Sequence, residues 1–82
     1  MSIEIEIRLY HAVRKYMPPG NGDGFSQRLS LSAGASIAQA MASINIPQGL
    51  PVLILLNGKM CGPEKVLESG DVLSIMQPAS GG

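Results

Sequence analysis

Two segments of the chain alternate between apolar and polar side chains at every second position. In the first, the apolar positions are Ile3, Ile5, Ile7 and Leu9. A period of two places such a set on one face of a strand and the intervening charged residues on the other. The second segment covers residues 25–32, and Gln27 interrupts its apolar face. We therefore predict two strands, with the second nearer an edge of the sheet.

The period of the pattern changes to that of a helix after these strands. Ser36 and Gln39 have the spacing of a capping box, which satisfies the free amides at a helix start. The apolar residues that follow at helical spacing are Ile37, Ala40, Met41 and Ile44. Asn45 and Pro47 end the pattern. We predict one amphipathic helix of about three turns, which must pack on the sheet because it is too short to persist alone.

The second half of the chain predicts three further strands. Residues 52–56 are apolar at every position, which predicts a strand covered on most of both faces. The dipeptide at 57–58 is Asn-Gly, a strong hairpin signal, so a short strand should return through residues 59–60. Residues 72–77 form the last predicted strand. The predicted order is β-β-α-β-β-β, an α+β fold with one helix packed on one sheet.

Two segments are predicted to lie outside the regular elements. Residues 17–24 contain two prolines and three glycines, so we predict a loop. Its Gly-x-Gly-x-Gly pattern is not followed by a helix start, which disfavours a phosphate site. The residues from Pro78 to Gly82 have nothing to pack against and should form a flexible tail. We thus expect a single domain over residues 1–77 and a tail over 78–82.

Composition and charge narrow the classes of function. The chain has 82 residues, 45% of them hydrophobic and 15% charged, which is typical of one small globular domain. Six basic residues offset six acidic ones, so the formal net charge is zero. No basic excess is present to attract nucleic acid or an anionic membrane surface, and we expect neither as a partner.

The few reactive side chains point to no metal site. Cys61 is the one cysteine and His11 the one histidine, so neither an internal disulfide nor a structural zinc site is expected. We predict that Cys61 is a partly buried hydrophobe after the hairpin. The first residues lack a basic stretch followed by an apolar run, so we expect no signal peptide and a cytoplasmic location.

The carboxyl-terminal part of the chain carries a more specific pattern. It reads Leu67-x-x-Gly70-Asp71-x-Leu73-x-Ile75, followed by Pro78-x-x-Gly81-Gly82. This pattern resembles the carboxyl-terminal signature of the MoaD/ThiS family of sulfur carriers. The segment Leu9–Tyr16 is similar to the aromatic-Ala-x-Arg segment after the first strand in the MoaD branch. The resemblance spans the whole chain and is most specific from Leu67 onward.

The resemblance implies a fold and a chemistry. The fold would be the ubiquitin-like β-grasp, a mixed sheet of four to five strands on one main helix, with the first and last strands side by side. A ubiquitin-activating-type enzyme would adenylate the terminal carboxylate of Gly82 with ATP, and a sulfur donor would convert it to a thiocarboxylate. The tail residues Pro78, Ala79, Ser80 and Gly81 would thread the active site of a partner enzyme. The carrier would bind no cofactor and would not catalyse alone.

The last strand also predicts a surface for these partners. Leu73 and Ile75 alternate with Val72 and Met76, so the two pairs lie on opposite faces. We assign the first pair to the core under the helix and the second to the open face, where Met60 can join it. We therefore predict a docking surface formed by Met60, Val72 and Met76, because methionine adapts to more than one partner.

The receiving enzyme stays open at this point. The MoaD branch implies the molybdopterin synthase large subunit, and the ThiS branch implies thiazole synthase. The long Pro/Gly loop and the chain length favour the MoaD branch. Met76-Gln77-Pro78, however, replaces the aromatic residues and the Pro-Pro pair that are frequent there. The alternatives are a ThiS-like carrier for thiamine thiazole or another sulfur pathway, and a β-grasp interaction module or protein modifier that transfers no sulfur.

Overall fold

Five strands and two short helices make up the computed structural model, which describes residues 1–17, 26–47 and 49–78. The strands are β1 (Ser2–Leu9), β2 (Ser26–Ser32), β3 (Leu53–Leu56), β4 (Lys59–Met60) and β5 (Val72–Met76). A 3₁₀-helix covers His11–Tyr16, and α1 covers Ile37–Ser43. No helix in these ranges is long and apolar enough to cross a membrane.

The strands form one mixed sheet in the order β2-β1-β5-β3-β4. β1 and β5 run parallel, with Leu9 opposite Ile75, and the other neighbouring pairs are antiparallel. The first and last strands are therefore neighbours inside the sheet, as the resemblance implied. The prediction that β2 lies at an edge is also confirmed.

The core lies between one face of the sheet and α1. The alternation in β1 and β5 places five aliphatic side chains on this face with exposures of 1% or less, and these are Ile5, Ile7, Leu9, Leu73 and Ile75. From the helix, Ile37, Ala40 and Met41 pack against them. Each large aliphatic side chain buried in this way contributes about 1.5–3 kcal/mol to folding. The prediction that Leu73 and Ile75 belong to the core is confirmed.

The helix begins at the predicted capping box. The Gln39 amide donates to Ser36 Oγ at 3.2 Å, and the Ser36 amide donates to Gln39 Oε1 at 2.8 Å. The helix is shorter than predicted, since it has seven residues and Ile44 is already its carboxyl-terminal cap. Asn45 then adopts a left-handed φ of 66° and turns the chain away.

The first turn of α1 is also held by the segment that precedes β5. The amides of Ile37 and Ala38 donate to the carbonyls of Lys65 at 2.9 Å and Pro63 at 2.8 Å. Leu67 is buried beside this contact, and its own amide donates to Ala35 at 2.8 Å. Free amides at a helix start would otherwise need water or a ligand, so this segment closes one end of the core.

The prediction that residues 52–56 are covered on most of both faces is confirmed in full for one face only. In β3, Ile54 and Leu56 are buried, whereas Leu53 and Leu55 are only half-buried. The sheet carries its single α-helix on one face, so the other face of β3 has no covering layer within the described residues. An unbroken apolar run is compatible with burial of both faces of a strand. It is equally compatible with burial of one face and partial exposure of apolar side chains on the other.

The 3₁₀-helix is an element that the sequence pattern did not predict. It follows β1 directly, His11 enters it with a left-handed φ of 56°, and Val13 is its one fully buried residue. A single buried side chain creates no periodicity for a pattern to detect. Its practical effect is to close the core next to the end of β5, where the Tyr10 amide donates to the Ile75 carbonyl at 3.1 Å.

Asn57 connects the predicted hairpin to the start of β5. Asn57 and Gly58 have φ of 53° and 86°, as the two-residue turn requires. The Asn57 side chain donates to Asp71 Oδ1 at 3.0 Å and accepts from the Val72 amide at 2.9 Å. Asp71 Oδ2 accepts from the Glu68 amide at 2.8 Å. One side chain therefore fixes the hairpin against the turn that leads into β5.

Substitutions at Asn57 should separate its two roles. Asn57→Gly keeps the positive φ and removes the side-chain hydrogen bonds, so we expect the free energy of unfolding to fall by about 1–2 kcal/mol. Asn57→Ala removes the same bonds and adds left-handed strain, so the loss should be larger by about 1 kcal/mol. Urea unfolding of both variants measures this difference. Equal losses would show that the backbone conformation imposes no cost.

Candidate functional site

The face of the sheet opposite α1, here called the open face, collects the predicted docking surface. Residues directly opposite each other on neighbouring strands have side chains on the same face. Leu53 pairs with Met76, and Leu55 pairs with Met60 on one side and with Ser74 on the other. Because β5 alternates, Val72 lies on this face as well. The structure thus brings Met60, Val72 and Met76 to one face.

The apolar area on this face is larger than predicted. Met60 is 72% exposed, and Val72 and Met76 are half-buried. Leu53 and Leu55 lie between them and add two further half-buried side chains. Sequence reasoning missed these two because it assigned β3 to the interior. We call the group Leu53, Leu55, Met60, Val72 and Met76 the open-face patch.

The other half of the open face, formed by β1 and β2, is charged. Arg8 donates a hydrogen bond to the Glu6 carboxylate, and Arg28 Nη1 lies 3.5 Å from Glu4 Oε1. The hydrogen bond and the charge of Glu6 raise the pKa of the Arg8 guanidinium above its ordinary value. Such exposed pairs add little stability. They border the apolar patch with a charge-balanced surface of two carboxylates and two guanidinium groups.

β5 ends within the open-face patch, and Gln77 and Pro78 follow it directly. Met76 is the last residue of β5, Gln77 is half-buried and Pro78 is exposed. The predicted tail residues Ala79, Ser80, Gly81 and Gly82 lie outside the described residues. A protein that covers Met76 would therefore stand directly next to the point where the chain leaves the sheet.

The side chains with reactive groups do not gather into a catalytic cluster. In residues 1–17, 26–47 and 49–78, no three of His, Cys, Asp and Glu come together in a way that could hold a metal ion. No polar or charged residue in these ranges is buried. Cys61 is half-buried and packs against the core, which confirms its prediction. The most distinctive feature of the described residues is therefore the open-face patch, which lies beside the point where the chain leaves β5.

Sequence comparison decides the family. The model of the ThiS family matches residues 19–82, which is well over half of the chain. The chain belongs to the ThiS family. The match includes β2, α1 and all later strands, and it continues through Gly81 and Gly82. No curated protein matches this ThiS-family chain in sequence.

Solved structures of the same shape are distant in sequence. Small archaeal modifier protein 1 from Haloferax volcanii is 16% identical with a TM-score of 0.72, over 96% of this chain and 99% of that one. A Pyrococcus furiosus protein assigned as molybdopterin converting factor subunit 1 is also 16% identical, with a TM-score of 0.71 over 94% and 99%. A chain from the complex of subunits 1 and 2 of this factor from Helicobacter pylori is 20% identical, with a TM-score of 0.58 over 98% and 100%.

These similarities establish the fold. The ThiS-family chain has the ubiquitin-like β-grasp, an α+β fold with a mixed sheet of five strands, and that prediction is confirmed. At such low identity, shape does not transfer activities or partners from one protein to another.

The two faces of β5 should respond differently to a charge. We expect Met76→Asp to leave the melting temperature nearly unchanged, because the new carboxylate stays hydrated on the open face. Ile75→Asp would bury a charge in the core and should prevent cooperative folding. Thermal unfolding followed by circular dichroism compares the two variants. A large loss of stability in Met76→Asp would place this residue in the structural core and remove it from the patch.

Proposed function

We propose that this ThiS-family protein is a sulfur carrier that is activated at the terminal carboxylate of Gly82. The observation that carries the proposal is the family match, which extends from residue 19 through the Gly81-Gly82 dipeptide. Glycines lack side chains and allow the backbone to enter a narrow channel. The open-face patch lies beside the point where the chain leaves β5, and it supplies an apolar contact for the enzymes that act on the carboxylate.

The proposed chemistry takes place at the carboxyl group and needs no side chain of the carrier. A carboxylate oxygen of Gly82 bonds to the α-phosphorus of ATP, and pyrophosphate leaves. A sulfur atom that the donor releases at the oxidation level of sulfide then bonds to the carbonyl carbon, and AMP leaves. The product is a thiocarboxylate. The adenylating enzyme and the sulfur donor are therefore the first two partners, and ATP is a substrate of the adenylating enzyme rather than a cofactor of this chain.

For the receiving enzyme, we propose the molybdopterin synthase large subunit, which would make this chain a non-catalytic small subunit. The proposal is supported by the shape shared with subunit 1 of the molybdopterin-converting factor, including the chain seen in complex with subunit 2. Thiazole synthase is the alternative within the same chemistry, since the matching model is that of the ThiS family.

A protein modifier is the second candidate function. The Haloferax volcanii modifier protein matches this chain in shape as well as the converting-factor subunit does. In that role, the activated Gly82 carbonyl would be transferred to a lysine amine and form an isopeptide bond. Activation by adenylation is common to both candidates. What separates them is whether sulfur or the whole protein is transferred.

Intact-protein mass spectrometry tests the activation. The protein, with Gly82 as its last residue, is incubated with ATP, a sulfur donor and its adenylating enzyme. We expect a species heavier by the exchange of one oxygen for one sulfur, localised to Gly82 by fragmentation. A variant with one residue added after Gly82 is the control and should stay unmodified with the same melting temperature. A free acid in the unextended protein under these conditions would refute the carrier role.

The thiocarboxylated protein then identifies the acceptor. With the molybdopterin synthase large subunit and its pterin substrate, we expect Gly82 to return to the free acid as sulfur leaves. Thiazole synthase with its own substrate serves as the parallel reaction. Lysines of other proteins that carry residues 66–82 after tryptic digestion, since Lys65 is the last basic residue, without sulfur loss from the free carrier, would instead favour the modifier.

Charge substitutions test the open-face patch as the contact. Met76→Asp should weaken binding to the adenylating enzyme or the large subunit by about tenfold or more, as for a central contact residue. Ser32→Asp is the matched control, because Ser32 is an exposed open-face position on β2, away from the patch. Isothermal titration calorimetry gives both affinities. Equal effects of the two substitutions would show that general charge, and not the patch, controls binding.

A further inference from the structure

The Asn57-Gly58 turn has the chemical features of a site that reacts with itself. In an asparagine–glycine sequence the glycine nitrogen reaches the side-chain carbonyl carbon of the asparagine easily, because glycine has no side chain to obstruct it. Both residues are exposed. Apart from the chain neighbours of Gly58, no atom lies within 4 Å of the position that its side chain would occupy. Within the described residues, the Gly58 amide donates no hydrogen bond, so the attacking nitrogen has no competing partner there.

The Asn57 side chain, in contrast, is fixed at both of its polar atoms. Nδ2 donates to Asp71 Oδ1 at 3.0 Å, and Oδ1 accepts from the Val72 amide at 2.9 Å. Asp71 is fixed in turn, since its Oδ2 accepts from the Glu68 amide at 2.8 Å. We call these three hydrogen bonds the Asn57 network. Ring closure between Asn57 and Gly58 expels Nδ2, so the hydrogen bond to Asp71 must break first.

We propose that Asn57 is a site of spontaneous deamidation, that the Asn57 network limits its rate, and that the reaction loosens the attachment of β4 to the sheet. In the first step the Gly58 nitrogen bonds to Asn57 Cγ, and the bond from Cγ to Nδ2 breaks. Nδ2 leaves as ammonia with the amide proton of Gly58, and a cyclic imide remains. Water then opens one of the two imide carbonyls, which gives aspartate or isoaspartate. No oxidation or reduction takes place.

The aspartate product turns an attraction into a repulsion. Its carboxylate oxygen replaces Nδ2, which lies 3.0 Å from Asp71 Oδ1. Two carboxylates at such a distance do not both remain ionised in contact, so the side chains separate. The bond from the Val72 amide alone cannot fix the hairpin against the turn that leads into β5.

The isoaspartate product changes the turn itself. Its main chain runs through the former side chain, so the turn gains one methylene group. The group that contacted Asp71 and Val72 becomes part of the peptide bond to Gly58. Turn geometry determines hairpin register, and β4 has only two residues, which pair Met60 with Leu55 and Lys59 with Leu56. A longer turn therefore weakens the whole attachment of β4.

The loosened strand carries part of the open-face patch, because Met60 lies in β4 and is 72% exposed. A partner that covers Met60 holds the hairpin closed, so binding and deamidation oppose each other. This consequence rests on the proposed contact at the patch, whereas the reaction at Asn57 does not. Gly82 takes no part in the reaction. The experiments on activation and on deamidation therefore succeed or fail independently.

Peptide mapping by mass spectrometry tests the reaction and its control by the fold. The folded parent, folded Asp71→Ala and the parent in urea are incubated at neutral pH, with folding verified by circular dichroism. We expect aspartate and isoaspartate at position 57 in all three, about tenfold or more faster in urea than in the folded parent, with Asp71→Ala between them. Equal rates for the folded and unfolded parent would overturn the control by the network. No product in either folded protein after complete reaction in urea would overturn the site.

Two other asparagines of the same chain serve as internal references. Asn21 is also followed by glycine, so in urea it should react at the same rate as Asn57. Asn45 has a left-handed φ of 66° in the folded protein, close to that of Asn57, but is followed by Ile46. The isoleucine side chain hinders the attack, so Asn45 should be the slowest of the three in urea. A rate at Asn45 equal to that at Asn57 would show that the glycine is not the cause.

Hydrogen exchange tests the loosening of β4 without any partner. The deamidated protein, which carries one more negative charge, is separated by ion exchange. In the parent the Cys61 amide donates to the Ile54 carbonyl at 3.2 Å, across the hairpin. We expect this amide to exchange about tenfold faster after deamidation. The Ile37 amide, which donates to Lys65 at 2.9 Å, is the control and should not change. Unchanged exchange at Cys61 would overturn the loosening.

Isothermal titration calorimetry with the adenylating enzyme tests the effect on the patch. We expect deamidation to weaken binding about fivefold, and to add little in a Met60→Ala background, where this contact is already absent. Asn57→Gly, incubated in the same way, cannot react at position 57 and should keep its affinity. A loss with Met60→Ala but none on deamidation would overturn the effect on the patch. No loss with either would refute the contact at Met60, which belongs to the proposed function.

Discussion

The structure depends on the parallel pairing of β1 with β5 in the middle of the sheet. This pairing joins the beginning of the described chain to its end, and it aligns Ile7 with Leu73 and Leu9 with Ile75, all four fully buried. β2 is attached to β1 and β3 to β5, and β4 is attached through β3. The same alignment determines the open face, because the side chains that alternate with the buried ones must point away from α1. The register of β1 against β5 therefore determines both which side chains form the core and which lie on the open face.

Much of this arrangement is readable from local patterns. The alternation of β1, the capping box at Ser36 and the Asn57-Gly58 turn each depend on residues that are close in the sequence. Their physical causes, namely side-chain period, amide capping and positive φ, act over a few residues. For that reason they survive in the structure as predicted. The burial of Leu73 and Ile75 opposite Val72 and Met76 follows in the same way from the period of a strand.

The features that the sequence did not predict depend on which parts of the fold pack against each element. The run at residues 52–56 is equally apolar on both sides, so its pattern does not reveal that α1 covers only one of them. Leu53 and Leu55 were assigned to the interior for this reason and are instead part of the open-face patch. The 3₁₀-helix escaped detection because Val13 alone anchors it. The chemistry proposed for positions 79–82 rests on family membership. The structure contributes the point at which the chain before them leaves the sheet.

The central pairing also has a consequence for how the chain folds. The contact between the Glu4 amide and Ser69 Oγ spans 65 positions in sequence, and the whole β1–β5 ladder is of this kind. Contacts so distant require the closure of a long loop before they stabilise anything, which slows folding relative to helical proteins of similar size. During synthesis, β1 and β2 can form a hairpin early, but one side of β1 waits for the last strand to be made. Until then the backbone groups on that side of β1 stay unpaired and its isoleucines lack their contacts with β5, which favours aggregation of the incomplete chain.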